Sequence, residues 1–252
     1  MAKLRKPYIG VLNVIRFNWP MYVAAIIISF SLFISNSFHS PYSNFILMII
    51  ILIIIVLVTS LVVSYYIYDY SSVYDLNWLN GHIDPSGKIA NIHAGFDETS
   101  QLLLYKYPKI SLIMLDFYDP IKHTEHSIRR AREIYPIIPG TQHTNTNNIT
   151  LPDSSLDTIL VIFSAHEIRN ILEREIFFKE LQRIAKPTGK IIVTEHTRDW
   201  RNFLAYNIGF FHFYTKSSWQ TIIKKAELYI DQEFSLTPFI VTFICRKNGN
   251  AS

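Results

Sequence analysis

Between Phe17 and Tyr68 the chain carries no Lys, Arg, Asp or Glu, and two long apolar runs fill this window on either side of the polar stretch Asn36 to Asn44. The first run, Pro20 to Ser35 and closing by residue 37, is near the lower length limit for a membrane-spanning helix. The second, residues 45–67, exceeds the roughly 20 residues that cross a bilayer. The pattern predicts a two-helix transmembrane hairpin within an N-terminal anchor over residues 1–70, followed by a soluble domain over 71–252. A buried core helix rarely avoids charge on every face, and no small-x-small cleavage site follows the first run as a signal peptide would require.

The flanking charges give an orientation. Lys3, Arg5, Lys6 and Arg16 precede the first span, whereas the connecting loop has no basic residue. The positive-inside rule then places the loop outside and the N-terminus and domain at the cytoplasmic face. Trp19 and Tyr22 at the entry, with Tyr65, Tyr66, Tyr68 and Tyr70 at the exit, suit an aromatic belt on that same side. The expectation is an integral membrane protein whose domain faces the cytoplasm.

Beyond Asp69 the pattern changes to alternating strands and helices. Strands are predicted at Lys88–His93, Ile110–Asp116, Thr158–Phe163 and Lys190–Thr194, and helices at Glu98–Tyr107, Glu125–Ile134, Arg169–Ala185 and Ser217–Ala226. Near-continuous apolar strands in such an order imply a parallel sheet covered on both faces. Two closing strands, Tyr229–Phe234 and Phe239–Arg246, are joined by Leu236-Thr237-Pro238. That link is too short for a parallel crossover, so the pair must be antiparallel.

Charge and cysteine content narrow the options. The net charge is +4, and four basic residues lie before the first span, where they act as topogenic and lipid-facing groups rather than as a nucleic-acid patch. The single cysteine, Cys245, sits in an apolar run, so neither a disulfide framework nor a thiolate metal site is available. The histidines are scattered along the chain, and no metal constellation is expected from them.

In a sheet of this kind, ligands bind beyond the carboxyl ends of the strands. The first strand leads into Asn91-Ile92-His93-Ala94-Gly95-Phe96-Asp97-Glu98-Thr99, with a single glycine and two carboxylates where a pyrophosphate would approach. A dinucleotide is disfavoured there, whereas a cofactor with a cationic amino group tolerates the acids. Asp97, Glu98 or Thr99 also suits a helix cap. Asp116 ends the second strand, where a carboxylate can hold a ribose diol. Downstream, Leu151-Pro152-Asp153-Ser154-Ser155-Leu156-Asp157 enters the fourth strand, and Phe178 to Lys190, containing Lys186-Pro187-Thr188-Gly189-Lys190, links a long amphipathic helix to the fifth.

These two segments resemble those of the class I S-adenosylmethionine-dependent methyltransferases, particularly the branch acting on small molecules, quinones and lipids. The resemblance runs from about Lys88 to Arg246. It implies an α/β, Rossmann-like seven-stranded methyltransferase sheet with an antiparallel last strand, and S-adenosylmethionine as cofactor. Carried over by position, the cofactor-binding residues would be Asn91, His93, Gly95, Asp97, Asp116, Phe117, Asn147 and His166. Asn91 stands where the family has an acid, and His93 and Asp97 stand where it has glycines. The loop therefore either binds the cofactor differently or has lost it.

Methyl transfer to an oxygen or nitrogen that carries a proton needs a base, and a neutral histidine suits this near neutral pH. His166, His196 and His212 are the candidate catalytic residues, with Glu167 and Glu195 nearby in sequence. The aromatic segment Asn202 to Tyr214 is expected to form an apolar mouth against the membrane. Arg198 and Arg201 precede it, where they would meet lipid phosphates or an acidic substrate group. The sequence thus points to a membrane-anchored methyltransferase that acts on a lipophilic small molecule and contacts membrane lipid but not nucleic acid. A catalytically inactive binding or scaffold protein of the same fold is the alternative.

Overall fold

The computed structural model describes residues 5–37 and 41–248. Lys3 and the loop residues 38–40 lie outside the described residues. Helix α1 (Ile9–Phe17) is followed by the apolar helices α2 (Trp19–Ser37) and α3 (Ser43–Tyr65). The domain then runs β1 (Lys88–His93), α4 (Ser100–Lys106), β2 (Ser111–Asp116), α5 (His126–Ile134), β3 (Gln142–His143), β4 (Leu156–Ile162), α6 (Ile171–Ile184), β5 (Ala185–His196), α7 (Trp200–Tyr206), α8 (Lys216–Lys225), β6 (Leu228–Thr237) and β7 (Ile240–Lys247).

The strands form one seven-stranded sheet in the order β3-β2-β1-β4-β5-β7-β6. Strands β1 to β5 pair in parallel, and β7 lies antiparallel between β5 and β6. The expected topology, including the inserted antiparallel strand, is borne out. Alternation along each strand divides the core between the two faces. Ala90 and Ile92 face a cluster with Phe177, Phe178 and Trp219, whereas Ile89 faces one with Leu76, Leu79 and Leu103. Cys245 is fully buried in the first cluster, and burial pushes its thiol pKa up, which suits a core residue.

Helix α4 begins at Ser100 rather than at Glu98. The Asp97 carboxylate accepts hydrogen bonds from the Thr99 and Ser100 amides at 2.9 Å and so fixes the first turn. Glu98 is drawn away from the helix to accept from Arg5 at 2.9 Å and from the Tyr74 hydroxyl at 2.6 Å.

Two helices are long and apolar enough to cross a membrane, over Trp19–Asn36 and Ser43–Asp75, by length and composition alone. Their side chains are overwhelmingly exposed, including Ile26, Ile27, Phe30, Leu52 and Ile55. Ser60 and Ser64 of α3 are exceptions and turn inward.

The basic N-terminal stretch does more than precede a span, because it includes α1, which packs on the domain. Asp69, just past α3, accepts hydrogen bonds from the Gly10 and Val11 amides at 2.8 Å each, satisfying open donors at the start of α1. Arg5 bridges Asp69 at 3.4 Å and Glu98 at 2.9 Å, with its guanidinium 3.9 Å from the centre of the Tyr74 ring. Gly10 is needed for this approach, since a Cβ there would overlap Tyr68. At the other end, the Asn13 side chain accepts from the Tyr135 hydroxyl at 2.6 Å, the Phe17 carbonyl accepts from Arg130 at 2.6 Å, and Phe17 packs edge-on to Phe96. Replacing Asp69 by Ala should cost about 3 kcal/mol, by removing a largely buried charge that holds two amides and an arginine. Hydrogen exchange is expected to show α1 losing protection before the sheet does; unchanged protection over residues 9–17 would contradict this.

Candidate active site

At the carboxyl ends of β1 and β2 the candidate cofactor residues divide into structural supports and groups that face the cleft. Asn91 donates to Thr99 and Ser100 at 2.9 Å and to Asp97 at 3.2 Å. Asn91 and Asp97 together therefore tie the end of β1 to the start of α4. His93 Nδ1 accepts from the Gly95 amide at 3.0 Å, and its Nε2 lies 3.6 Å from Asp97 Oδ2. Burial holds His93 below the usual histidine pKa, against the pull of Asp97. Gly95 turns the loop with a positive φ of 93°. Phe117 packs into the core against Phe177 and His123, and Asn147 is exposed in the segment between β3 and β4.

Asp116 keeps a carboxylate at the end of β2, and both its oxygens are engaged. Oδ1 accepts from the Tyr118 amide at 2.9 Å, and Oδ2 accepts from Arg132 of α5 at 2.6 Å. The Arg132 guanidinium also lies over Tyr118, 4.3 Å from the ring centre, and a Cβ on Gly95 would overlap it. Arg132 thus fills the space between the loop after β1 and the end of β2.

Next to this cleft is a chamber of about 360 Å³. Its walls include Asn13 and Phe17 of α1, Met21, Tyr22 and Ser60 of the apolar helices, Ile128 and Ala131 of α5, the loops beyond β1 and β4, and the turn after α7. Two of the candidate histidines meet at its polar end, where the His166 and His212 rings are 4.8 Å apart edge to face. Glu167 Oε1 lies 3.4 Å from His166 Nε2 and 3.6 Å from His212 Nε2. Behind them, Glu195 Oε2 is 2.6 Å from His166 Nδ1 and Glu125 Oε1 is 3.2 Å from His212 Nδ1. Arg169 joins Glu125 at 2.5 Å and the His212 carbonyl at 2.6 Å. Burial opposes a charge on His166, but Glu195 and Glu167 outweigh it and raise its pKa to about 10. The hydrogen bond from His212, reinforced by Arg169, lowers Glu125 to about 2 against its burial.

His196 does not join this group. Its Nε2 is 2.8 Å from the Tyr68 hydroxyl and its Nδ1 is 3.2 Å from Asn202 Oδ1, so it braces the end of β5 against the segment after α3. The aromatic segment forms α7 and the turn that follows it, leaving Trp200, Phe203, Leu204, Ile208 and Phe211 exposed beside α3. Arg198 donates to the Phe213 and Phe211 carbonyls and holds that turn in place. Arg201 lies over the Trp200 ring, 5.4 Å from its centre.

The sequence of residues 101–193 matches the family model described as a methyltransferase domain. This part of the chain is similar to a methyltransferase domain. S-adenosylmethionine is the methyl donor indicated by this match taken with the solved structures below. The match begins inside α4, after the loop in which glycines are replaced. No curated protein matches the chain in sequence. Solved structures establish the fold. An S-adenosylmethionine-dependent methyltransferase from Methanosarcina mazei is similar at 16% identity and a TM-score of 0.51, covering 68% of this chain and 97% of its own. A methyltransferase of the same description from Clostridium acetobutylicum is similar at 10% identity and a TM-score of 0.50, covering 71% and 91%. A Pyrococcus horikoshii protein is similar at 18% identity and a TM-score of 0.51, covering 73% and 98%.

The chain retains a carboxylate that suits a ribose diol, and the group closing the cleft is one partly exposed side chain rather than backbone. Its residues therefore fit the nucleoside once the Arg132 guanidinium withdraws. Arg132, Glu125 and Arg169 were not expected from the sequence, because their roles depend on partners brought together only by folding. A basic residue repeated along α5, as in Arg129-Arg130-Ala131-Arg132, was the one signal available for Arg132.

Two predictions follow from these contacts. Arg132→Ala should strengthen binding of S-adenosylmethionine about tenfold, or ~1.4 kcal/mol, by freeing the Asp116 carboxylate, whereas Asp116→Ala should abolish it; calorimetric titration distinguishes these outcomes from no change. His196 provides a pH test. Burial, and then the charge on His166, lower its pKa to about 3, against the Asn202 hydrogen bond. Unfolding lets this group take up a proton that the folded chain refuses. Its contribution to stability is therefore intact above the unfolded value of about 6.5 and is lost as pH falls toward 3. His196→Gln should flatten part of the acid side of a plot of unfolding temperature against pH; an unchanged slope would refute it.

Proposed function

We propose that the protein is a membrane-anchored S-adenosylmethionine-dependent methyltransferase whose acceptor is a lipophilic small molecule of aromatic, quinone-like or lipid character. The observation carrying this reading is that one chamber is lined both by the apolar helices and by the polar group of His166, Glu167 and His212. An acceptor dissolved in the bilayer would enter between Met21, Tyr22 and Ser60 and reach that group without crossing water. The exposed rim at Phe203, Leu204, Ile208 and Phe211 suits the membrane interface. The basic N-terminal residues and the uncharged loop favour a cytoplasmic domain and contact with membrane lipid.

When bound, S-adenosylmethionine supplies an electrophilic methyl group. The chain's part in the displacement is alignment and exclusion of water. Asp116 would hold the ribose, α1 would close the chamber from above, and Phe17, Phe96 and Phe213 would provide its apolar wall. The polar end would receive the acceptor's nucleophilic atom and its proton.

The full chain reconstituted in lipid vesicles with methyl-labelled S-adenosylmethionine and a total lipid extract tests the reading. Label is expected in the organic phase and is expected to be lost with Asp116→Ala. Met21→Trp, which narrows the chamber beside the apolar helices, should raise the acceptor KM several-fold with no change in affinity for S-adenosylmethionine. Label confined to water-soluble acceptors, or a Met21→Trp variant with unaltered KM, would overturn the assignment of a lipophilic substrate.

A further inference from the structure

Two imidazoles and one carboxylate converge at the polar end of the chamber, at ion-pair distance but beyond ordinary hydrogen-bond length. Glu167 Oε1 stands 3.4 Å from His166 Nε2 and 3.6 Å from His212 Nε2. Both separations exceed the usual N–H···O range of about 2.7–3.2 Å. The second oxygen, Glu167 Oε2, is buried with no hydrogen-bond partner, on a residue only 5% exposed. An orphaned carboxylate oxygen at such depth is costly unless something else meets it.

A metal ion would suit the two nitrogen–oxygen separations and would draw the three groups together. One ligand atom from each of His166, Glu167 and His212 lies within 4.8 Å of the others. In a tetrahedral site with bonds near 2.05 Å, ligand atoms are about 3.3–3.4 Å apart, close to the two measured nitrogen–oxygen separations. The groups behind the ligands are also those a metal site needs. Glu195 accepts from His166 Nδ1–H at 2.6 Å, and Glu125 lies 3.2 Å from His212 Nδ1. Glu195 fixes the His166 tautomer that turns an Nε2 lone pair toward the chamber, whereas His212 Nδ1 meets the Arg169 guanidinium as well as Glu125. Three carboxylates, Glu125, Glu167 and Glu195, surround the cluster against the guanidinium of Arg169 beside it and that of Arg174 beyond Glu195, a balance that favours a divalent cation.

We propose that His166, Glu167 and His212 form a binding site for a divalent transition metal, of which Zn²⁺ best matches two imidazoles and one carboxylate. Mg²⁺ and Ca²⁺ prefer shells of six or more oxygens and are poorly served by two nitrogen donors. Three protein ligands leave at least one coordination position open, and this position faces the chamber, because all three residues line it. The open position takes an oxygen ligand. If the methyl-transfer reading holds, that ligand is the acceptor's hydroxyl, whose ionisation the metal would promote.

The test uses the full chain in detergent, stripped with a chelator and titrated with Co²⁺ as a spectroscopic probe and then with Zn²⁺. One equivalent of Co²⁺ should bind, giving visible ligand-field absorption that Zn²⁺ abolishes. Glu167→Gln and His212→Gln should each lower affinity by at least about a hundredfold, and Glu125→Gln by about tenfold, with circular dichroism unchanged. Failure of the natural chain to bind either ion stoichiometrically would overturn the proposal, as would undiminished binding by both Glu167→Gln and His212→Gln. Nucleoside binding at Asp116 is measured separately by calorimetry. Metal binding without nucleoside binding would uphold this site and remove the methyl-transfer reading; nucleoside binding without metal binding would do the reverse.

Discussion

The Asp69 carboxylate is the contact on which the arrangement of the site depends. It is the first charged residue after Arg16 and comes immediately after a long apolar helix. By accepting from the Gly10 and Val11 amides and pairing with Arg5, it brings the chain's N-terminal helix back over the domain. Without that return, α1 would be a short helix of nine residues, too short to hold its shape alone. With it, α1 roofs the chamber and the apolar helices are held at a fixed place beside the sheet.

The consequence is a cavity that belongs to neither part of the chain alone. The sheet contributes the polar end through residues following β4 and before α8, and α1 and the apolar helices contribute the opposite wall. A domain of this fold without its N-terminal segment would leave His166 and His212 open to water, where charge is screened and an apolar ligand gains little from binding. The Tyr68 hydroxyl on His196 adds a second tie between the segment after α3 and the end of β5, close to the same end of the sheet.

Strands β1, β2, β4, β7 and the end of β5 were legible in the sequence because each is a near-continuous apolar run, and the antiparallel closing pair because its turn is too short for any other connection. Strand β3 was not, since two exposed residues paired at an edge carry no pattern. The role of α1 was hidden for a different reason. Its basic neighbours match what membrane topology requires, and only Gly10 and the buried Asn13 distinguish a packed helix from a flanking segment. Within the site, Asp116 was legible from its place at a strand end. The meeting of His166 with His212 was not, because it depends on how the turn after α7 folds back, a matter settled by Arg198 and Arg169 bonding to main-chain carbonyls. The histidines are scattered along the sequence, and folding brings His166 and His212 together with Glu167.

Helix α5 shows how the two ends of the site are linked. It supplies Arg132 to the cleft at Asp116, Ile128 and Ala131 to the chamber wall, and Arg130 to the Phe17 carbonyl, while Tyr135 at its end bonds Asn13 of α1. Opening the cleft by moving the whole helix would therefore break the contacts that hold the roof of the chamber. Rotation of the Arg132 side chain alone breaks one ion pair and one ring contact and leaves the roof in place. The second route disturbs far fewer buried groups, so the cleft is expected to open by a side-chain movement while the acceptor chamber keeps its shape. A nucleoside at Asp116 and a ligand in the chamber would then fill independently, and closure of the one would be no barrier to loading of the other.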